Sequence, residues 1–560
     1  MSDKTKIKFH VLAIFCILIF CFSLTPVTFQ NDTYYSIAIG KHIIETGTID
    51  MQDPFSWHED LPYTYPHWAY DVGTYLIYQA GESIGIGGFC AIYIATVILA
   101  MILGVLIYYI INKLCKNPIV SLLISMIIMY LLKDFITARA QLVSYILFAL
   151  TILFIEQFIK TQKKRYAVYL IIIPILLANL HVAVWPFYFV LYLPYIAEYL
   201  LAITCDAKVY YWFAIKWNQS KLKKISKKGN PEEIGKQQEK IAHLQLEKEN
   251  AGENARKRRK HPYKVIFKKE PAVKWLIVIM IICIFTGFLT PIGTTPYTYL
   301  VKTMQGNTTQ NISEHQPLTL INNTAMLIVF IVYILLLIFT DTKATLRDFF
   351  MLGGLTLLSF MSRRQTALFA VIGGFIFAKL ITALIEKYDK KGSETLINFM
   401  TTILGKILTI LIVILLSIVM YRGKENDNYV NENSYPVEAS NYILENIDIS
   451  NMRLFNEYNY GSYLLYRGIP VFIDSRADLY APEFNGTKNK DGTWEGRDIF
   501  SDYINVSNIS TYYEDKMEEY DITHVILGKK TKLNMFLSRD DNYKELYSDD
   551  SFVVYERLSQ

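Results

Sequence analysis

Long apolar runs alternate with shorter polar segments between residues 9 and 421. About eleven runs can be delimited, and some are shorter than the ~20 residues of an ideal membrane crossing. They lie at 9–27, 88–111, 118–132, 142–159, 167–180, 183–203, 275–291, 325–340, 349–361, 367–385 and 403–421. The pattern predicts an α-helical polytopic membrane protein with about eleven spans.

The distribution of Lys and Arg between the runs predicts an orientation. The first run follows three lysines and has no small-x-small cleavage site, which favours an uncleaved span over a signal peptide. If the N-terminus is cytoplasmic, the basic clusters fall on inside segments, as the positive-inside rule requires. The outside segments are then 30–87, 133–141, a turn near 181, 292–324, 362–365 and the tail after 422. We therefore predict a multi-pass plasma-membrane protein with an extracellular C-terminus, in which run 349–361 is the weakest span.

Two polar stretches of the membrane part show helical patterns. Residues 34–45, in the outer loop 30–87, form an amphipathic pattern with isoleucines available for lipid: Ile37, Ile39, Ile43 and Ile44. The basic insertion 206–274 is predicted to be cytoplasmic, and Glu and Lys at helical spacing in 231–250 predict a helical hairpin. The insertion would bind anionic lipid or a cytoplasmic partner, or it is a solvated loop that fixes the topology.

After residue 421 the pattern changes to short mixed elements. Helical patterns at 436–447, 499–504 and 512–520 alternate with strand patterns at 452–456, 471–474, 524–527 and 552–556. Such alternation predicts a small α/β domain. The chain thus divides into a transmembrane domain at 1–421 and an extracytoplasmic α/β domain at 422–560.

Composition excludes several function classes. The cysteines lie in or beside apolar runs, without CxxC or zinc-ligand spacing: Cys16, Cys21, Cys90, Cys115, Cys205 and Cys283. A disulfide framework in the tail is therefore excluded. The tail carries neither GxGxxG nor a P-loop, so nucleotide binding there is not supported, and no nucleic-acid partner is expected.

The outer loop 30–87 holds the candidate catalytic residues. Asp32 directly follows the first span, and Asp53, His67 and Asp71 come later in the loop. Carboxylates and imidazoles at a membrane surface act as general acids or bases, or hold a divalent ion. Structural alternatives exist for each of them: a turn at Asp53, an interfacial anchor at His67, and a helix cap at Asp71 or at Asp32. A carboxylate at the membrane edge is costly unless it is used, which favours a functional Asp32.

Further polar residues fall on the same predicted side. They are Arg139, Gln141, Asn179, His181, Glu314, His315, Arg363 and Arg364. A guanidinium binds phosphate through two hydrogen bonds, so we expect the three arginines around one pocket that takes a lipid phosphate, with Gln141, Asn179 and His181 nearby. The alternatives are arginines that reach for lipid headgroups, helix-to-helix hydrogen bonds from Asn179 and His181, and a solvated loop at 314–315.

The stretch FQNDTYY at Asp32, followed by TGTIDMQDPFS and PHWAYD, resembles the GT-C superfamily of glycosyltransferases. It looks like a bacterial subgroup related to protein-mannosyltransferase-like members. The tail motif NEYNYGSYLLYRGIPVFIDSRADLY resembles the same subgroup, although Asp474, Arg476 and Asp478 within it also fit a structural ion-pair cluster. Many relatives carry two adjacent acids where this chain has Asn31 and Asp32. It stays open whether Asp32 is a base or a ligand to a divalent cation such as Mg²⁺ or Mn²⁺.

The resemblance implies a hexosyltransferase that moves a sugar from a polyprenyl-phosphate carrier to a glycan or protein acceptor on the outer face, with inversion at the anomeric carbon. Its partners would be membrane lipid, the lipid-linked sugar and the acceptor. A second hypothesis is a transporter or flippase of lipid-linked saccharides, which should show internal repeats or broken spans in matching halves. A third is a noncatalytic cell-envelope scaffold, for which Asp32 would be dispensable.

Overall fold

Every predicted apolar run coincides with helical structure. The computed structural model describes residues 3–207, 209–226, 229, 231–260, 265–266, 268–306, 311–424 and 428–558. Within them, six helical segments are long and apolar enough to cross a membrane: Lys4–Leu24, Gly88–Cys115, Ala140–Thr161, Val182–Ile203, Arg363–Tyr388 and Ile403–Arg422. Shorter apolar helices are Pro118–Leu131, Lys164–Leu180, Val273–Phe288, Thr324–Phe339 and Leu346–Met361. The chain is thus a multi-pass membrane protein, while the count of eleven crossings stays a prediction.

Local sequence explains where several of these helices begin and end. Pro118 occupies the first turn of its helix, where a missing N–H costs nothing, and the side chain of Asn117 accepts a hydrogen bond from the backbone of Val120 at 3.2 Å. Helix Ile403–Arg422 presents apolar side chains outward, among them Leu415 and Val419, which are more than 60% exposed in the protein. Such a face suits contact with lipid.

The first loop folds into two helices, Asn31–Thr46 and Trp68–Ser83, packed against each other. They cross at Gly40, where an added Cβ would lie 2.1 Å from the carbonyl oxygen of Asp71, so only glycine allows this approach. The prediction that this loop's isoleucines face lipid is wrong for Ile37, Ile39 and Ile43, which are buried. The physical reason is that the C-terminal segment covers this helix and joins it in one hydrophobic core.

The basic insertion forms two helices, Val209–Ser226 and Pro231–Lys260, which pack side by side. The side chain of Gln237 donates to the backbone and side-chain oxygens of Asn218 at 3.1 and 2.8 Å. A hairpin is therefore present in the described part of the insertion, and its cytoplasmic location stays a prediction.

Charged side chains meet inside the bundle, away from the first loop. Arg347 contacts Glu156 at 3.4 Å, Lys379 contacts Asp348 at 2.9 Å, and the Tyr195 hydroxyl donates to Glu156 at 3.1 Å. Glu156 lies about 25 Å along its helix from the residue that begins it, at 1.5 Å per residue. Charges within an apolar bundle are stable only when paired, so this cluster fixes four helices to one another.

The segment 428–558 contains a four-stranded sheet. Leu454–Phe455 runs parallel to His524–Gly528, which pairs antiparallel with Phe552–Arg557, and that strand pairs antiparallel with Tyr543–Ser548. A two-stranded hairpin joins Thr487–Lys488 to Trp494–Glu495. The helices of the segment are Val437–Asn446, Tyr458–Tyr466, Pro482–Asn485, Ile499–Asn508, Tyr513–Glu519 and Lys532–Leu537.

One of the predicted tail strands is not a strand in the structure. The strand predicted at 471–474 is wrong, because Val471 forms only an isolated parallel bridge with Ser56 of the first loop. Helix Tyr458–Tyr466 packs so closely on this extended stretch that a Cβ at Gly461 would lie 2.0 Å from the carbonyl oxygen of Ile473. The loop and the tail are thus tied together, and the domain boundary near residue 421 stays a prediction.

The remaining helices and strands link these parts. The described chain also contains Trp185–Val190, Leu193–Ala207, Thr295–Gln305, Gly374–Tyr388 and Lys390–Met400, with short helical turns at Lys133–Phe135, Leu320–Asn322, Arg363–Gln365 and Ala477–Tyr480 and a π-helical turn at Phe369–Gly373. Val265–Ile266 and Ala344–Thr345 form a two-stranded parallel pair.

Candidate functional site

A cavity of about 620 Å³ lies where the first loop, one end of the helical bundle and the tail meet. Its walls come from predicted outside segments, from the adjoining ends of two predicted spans and from the tail: 30–35, 62–67, 139, 181–187, 299–304, 312–315, 358–365 and 458–484. Of the candidate residues, the cavity is lined by Asp32, His67, Arg139, His181 and Arg364. Their side chains come from five separate stretches of sequence, and only the fold brings them together.

The centre of the polar wall is Arg139. Its guanidinium forms a close ion pair with Asp32 and contacts Glu314 at 3.2 Å and the side-chain oxygen of Gln30 at 3.4 Å. Asp32 lies in the first turn of helix Asn31–Thr46, where the helix dipole favours a negative charge. Burial would lower the pKa of Arg139, but the two carboxylates outweigh it and raise that pKa, while Arg139 holds the pKa of Glu314 below its usual value against the effect of burial.

Two histidines lie against each other beside this ion pair. The rings of His67 and His181 are 5.1 Å apart, His67 Nδ1 lies 3.3 Å from the Tyr35 hydroxyl, and His181 Nδ1 lies 2.8 Å from the Ser144 hydroxyl. Burial, with Arg364 and Arg139 adding to it, lowers the pKa of His67 to about 3. His181 Nε2 is buried with no hydrogen-bond partner among the described residues. Burial also lowers the pKa of His181 well below its usual value, so both imidazoles are neutral at physiological pH and offer hydrogen bonds rather than charge.

Arg364 is the second cavity arginine, and it is less constrained than Arg139. Its Nη1 donates to His315 Nε2 at 3.4 Å, and within the described chain it makes no ion pair. Burial and the nearby guanidinium lower the pKa of His315 to about 4, so that this ring accepts the bond as a neutral imidazole. The adjacent Arg363 does not line the cavity, since its Nε donates to the carbonyl of Pro317 at 3.4 Å. Arg364 is thus the cavity cation that is available to an anionic ligand.

Asp53 lies in a different environment from that expected of a cavity base. Its carboxylate accepts a hydrogen bond from Arg476 Nη1 at 2.6 Å, and Arg476 also binds Asp474 at 2.7 and 2.9 Å. The guanidinium lies over the rings of Tyr63 and Phe55, at 4.9 and 5.4 Å from their centres. Although burial opposes it, Arg476 lowers the pKa of Asp53. This cluster ties the loop to the tail. Both carboxylates are directed at the Arg476 guanidinium rather than at the cavity.

Three further candidates also lie outside the cavity lining. Asp71 is fully buried behind the first loop helix, and burial raises its pKa well above its usual range. Gln141 is buried inside the bundle. The Asn179 side chain accepts a hydrogen bond from Trp68 Nε1 at 3.1 Å and donates one to the carbonyl of Leu289 at 3.0 Å. These bonds correspond to the structural alternative for Asn179, in which its side chain links helices instead of binding a ligand.

The tail contributes cavity residues that the sequence did not single out as binding groups. Asp478 accepts a short hydrogen bond from the Tyr299 hydroxyl, and both residues line the cavity. Burial raises the pKa of Asp478, against the effects of Tyr299 and Arg364. A lone tyrosine in a polar loop carries no sequence signal, so only the fold identifies Tyr299.

The donor groups at Asp32 do not fit a resident divalent cation. Over the described residues, no three His, Cys, Asp or Glu side chains are grouped to hold a metal ion. Mg²⁺ and similar cations take several oxygen ligands, whereas Asp32 and Glu314 both point at one guanidinium.

The fold and the cavity define a helical multi-pass membrane protein whose site lies between its bundle, its first loop and its tail. Solved structures of the oligosaccharyltransferase AglB from Archaeoglobus fulgidus are similar to it. The complex with an inhibitory peptide and a dolichol-phosphate has a TM-score of 0.54 and 12% sequence identity, covering 99% of this chain and 75% of that one.

Two other structures of the Archaeoglobus fulgidus enzyme are also similar to the chain. The apo form has a TM-score of 0.52 at 11% identity over 93% of this chain and 69% of that one. The form tethered to an acceptor peptide containing the NVT sequon has a TM-score of 0.50 at 11% identity, over 98% of this chain and 74% of that one. AglB is a GT-C superfamily glycosyltransferase, and the chain shares its fold, in agreement with the resemblance seen in the first loop. No protein-family model and no curated protein matches the sequence significantly.

Proposed function

We propose that the chain is a membrane glycosyltransferase that moves a sugar from a polyprenyl-phosphate carrier to an acceptor on the outer face of the membrane. The observation that carries the proposal is the cavity in which Asp32, Arg139, Arg364 and two neutral histidines meet. It combines a carboxylate, a cation without an ion pair among the described residues and hydrogen-bonding rings, which are the groups that sugar transfer from a phosphate requires.

Arg364 would bind the carrier phosphate. Its guanidinium lines the cavity and is held by His315, whose neutral ring accepts its hydrogen bond at 3.4 Å. The charge of Arg139 is already matched by Asp32 and Glu314, so Arg364 is left to receive a further anion. The lipid chain would lie among the apolar cavity residues near it, which include Leu358 and Met361. The dolichol-phosphate bound by the similar AglB structure supports a lipid phosphate as the ligand class.

Asp32 would act on the acceptor. An acceptor hydroxyl is a weak nucleophile until its proton is taken up, and a positioned carboxylate takes up such a proton. The acceptor oxygen would form a bond to the anomeric carbon as its proton passes to Asp32. The bond from that carbon to the phosphate oxygen would break, and the phosphate would leave with the electron pair toward Arg364. Arg139 would hold the Asp32 carboxylate in place during the transfer.

The experiment replaces Asp32 by Asn and measures transfer of labelled hexose from polyprenyl-phosphate hexose donors in membranes that contain the full chain. Asn is nearly isosteric but cannot take up the proton, so transfer should fall about 100-fold, the usual scale for a general base. Asp60→Asn is the matched control, because Asp60 is an exposed residue of the same loop outside the cavity. A folded Asp32→Asn protein that transfers at the wild-type rate would refute the role of Asp32 as the base. A wild-type protein that transfers no more hexose than membranes without the chain would defeat the proposal and favour the scaffold hypothesis.

A further inference from the structure

Two carboxylates from distant parts of the chain point at one guanidinium. Asp32 begins the first loop helix, Glu314 lies in the segment before helix Thr324–Phe339, and Arg139 contacts both through its two terminal nitrogens. Facing carboxylates at a membrane surface repel each other unless a cation lies between them. In this protein the cation that lies between them is a side chain.

The position of Arg139 is fixed by its backbone and side-chain contacts. Its backbone N–H donates to the carbonyl of Thr137 at 2.8 Å, and its carbonyl accepts from Leu142 at 3.2 Å, at the start of helix Ala140–Thr161. Its side chain is 18% exposed and its Nη1 also contacts Gln30 at 3.4 Å. An arginine keeps its charge at any physiological pH. A permanent positive charge therefore stays between the two carboxylates.

A divalent cation would need the same space. Such a cation binds carboxylate oxygens at roughly 2.0–2.6 Å, which is closer than the guanidinium nitrogens allow while they hold those oxygens. It would also lie within a few ångströms of a fixed positive charge, in a partly buried place where like charges are poorly screened.

We infer that the Arg139 guanidinium takes the place of a divalent cation between Asp32 and Glu314, so that the site holds its two carboxylates together without a metal ion. The inference concerns the groups that line the site. Its test measures metal binding, so its outcome is independent of the transfer experiment with Asp32→Asn.

The test titrates Mn²⁺ into the purified full-length protein and follows free Mn²⁺ by electron paramagnetic resonance. The wild-type protein should bind no Mn²⁺ that depends on Asp32. Arg139→Met should gain about one bound Mn²⁺ per chain, because its neutral side chain of similar length opens the position between two carboxylates. Adding Asp32→Asn to that variant should abolish the gain. Arg363→Met is the matched control and should behave as the wild type, since Arg363 lies outside the cavity.

Two results would overturn the inference. One is a wild-type protein that binds one Mn²⁺ and loses it on Asp32→Asn, because the metal and Arg139 would then share the site. The other is a folded Arg139→Met protein that binds no Mn²⁺, because the position would then not be one that a cation can take. If Arg139→Met does not fold, the comparison of the wild type with Asp32→Asn decides the question alone.

Discussion

Replacing Arg476 by Met should detach the tail from the first loop. The Arg476 and Asp53 side chains are 3% and 0% exposed, and Asp474 on the other side of the guanidinium is also 0% exposed. Removing one partner of a buried ion pair costs about 3–5 kcal/mol, because the other charge stays buried without compensation. Arg476→Met leaves two such carboxylates, so we expect a loss of unfolding free energy at the upper end of that range.

Asp53→Asn should be milder. Arg476 then keeps both hydrogen bonds to Asp474, at 2.7 and 2.9 Å, and the expected loss is about 1–3 kcal/mol, the cost of one disturbed buried hydrogen bond. The pKa of Asp53 is lowered in the folded protein, so its stabilising effect is present above its unfolded pKa of about 3.9 and is lost as pH falls through the lower folded value. At neutral pH the full effect should be seen.

The assay is thermal unfolding of the detergent-solubilised protein, with limited proteolysis to report release of the tail. Lys544→Met is the matched control, because Lys544 pairs with Glu556 on the surface of the tail, where the side chains are 61% and 41% exposed and the pair is worth at most about 1 kcal/mol. The structural assignment would be refuted by an Asp53→Asn protein that loses transfer but keeps the wild-type unfolding midpoint and proteolysis pattern. That result would restore Asp53 as a candidate base.

Three further outcomes are expected. Arg364→Lys should weaken binding of a polyprenyl phosphate about tenfold, because Lys lacks the planar fork, whereas Arg363→Lys should leave binding unchanged; a fluorescent polyprenyl phosphate measures both. His67 is neutral in the folded protein, with a pKa of about 3, whereas in the unfolded chain it takes up a proton below about pH 6.5. As pH falls between these two values, the unfolding free energy should therefore drop by up to about 1.4 kcal/mol per pH unit. Denaturant titrations measure this profile, and His67→Gln should flatten it. A reporter active only in the cytoplasm, fused after Gln560, should stay silent; activity would mean a miscounted span, first of all run 349–361.

Much of the helical architecture could be predicted from sequence, because a lipid-facing helix must be apolar over most of its length. The strands of the tail are harder to predict from sequence. Strand Tyr543–Ser548 is not predicted from sequence, because it carries Lys544, Glu545 and two tyrosines and shows little apolar alternation. The prediction of a strand at 471–474 followed a genuinely buried apolar stretch, whose partner turned out to be the first loop. Period-2 patterns report burial on a face, and they do not identify the element that provides it.

The same limit applies to the site. Asp32, Arg139 and Arg364 could be proposed because charged residues next to apolar runs are costly without a role. Asp53 had the same chemistry and a similar location in sequence, yet its partner Arg476 lies more than four hundred residues away. A single sequence does not record such a pairing. Charge type and membrane proximity therefore indicate which charged residues have a high desolvation free energy. The three-dimensional fold decides whether a ligand or another side chain compensates the charge.

The tail is part of the site rather than an appendage to the bundle. The Asn31 side chain, next to Asp32, donates to the carbonyl of Tyr458 at 2.9 Å, and Trp57 Nε1 donates to the carbonyl of Leu454 at 2.9 Å. Asp478 and its neighbours in the tail form part of the cavity wall. A membrane bundle without this segment would leave the buried face of the first loop helix in water and the cavity open on one side. Acceptor access and the exclusion of water from a transferred sugar would thus depend on how firmly the Arg476 cluster holds the tail in place.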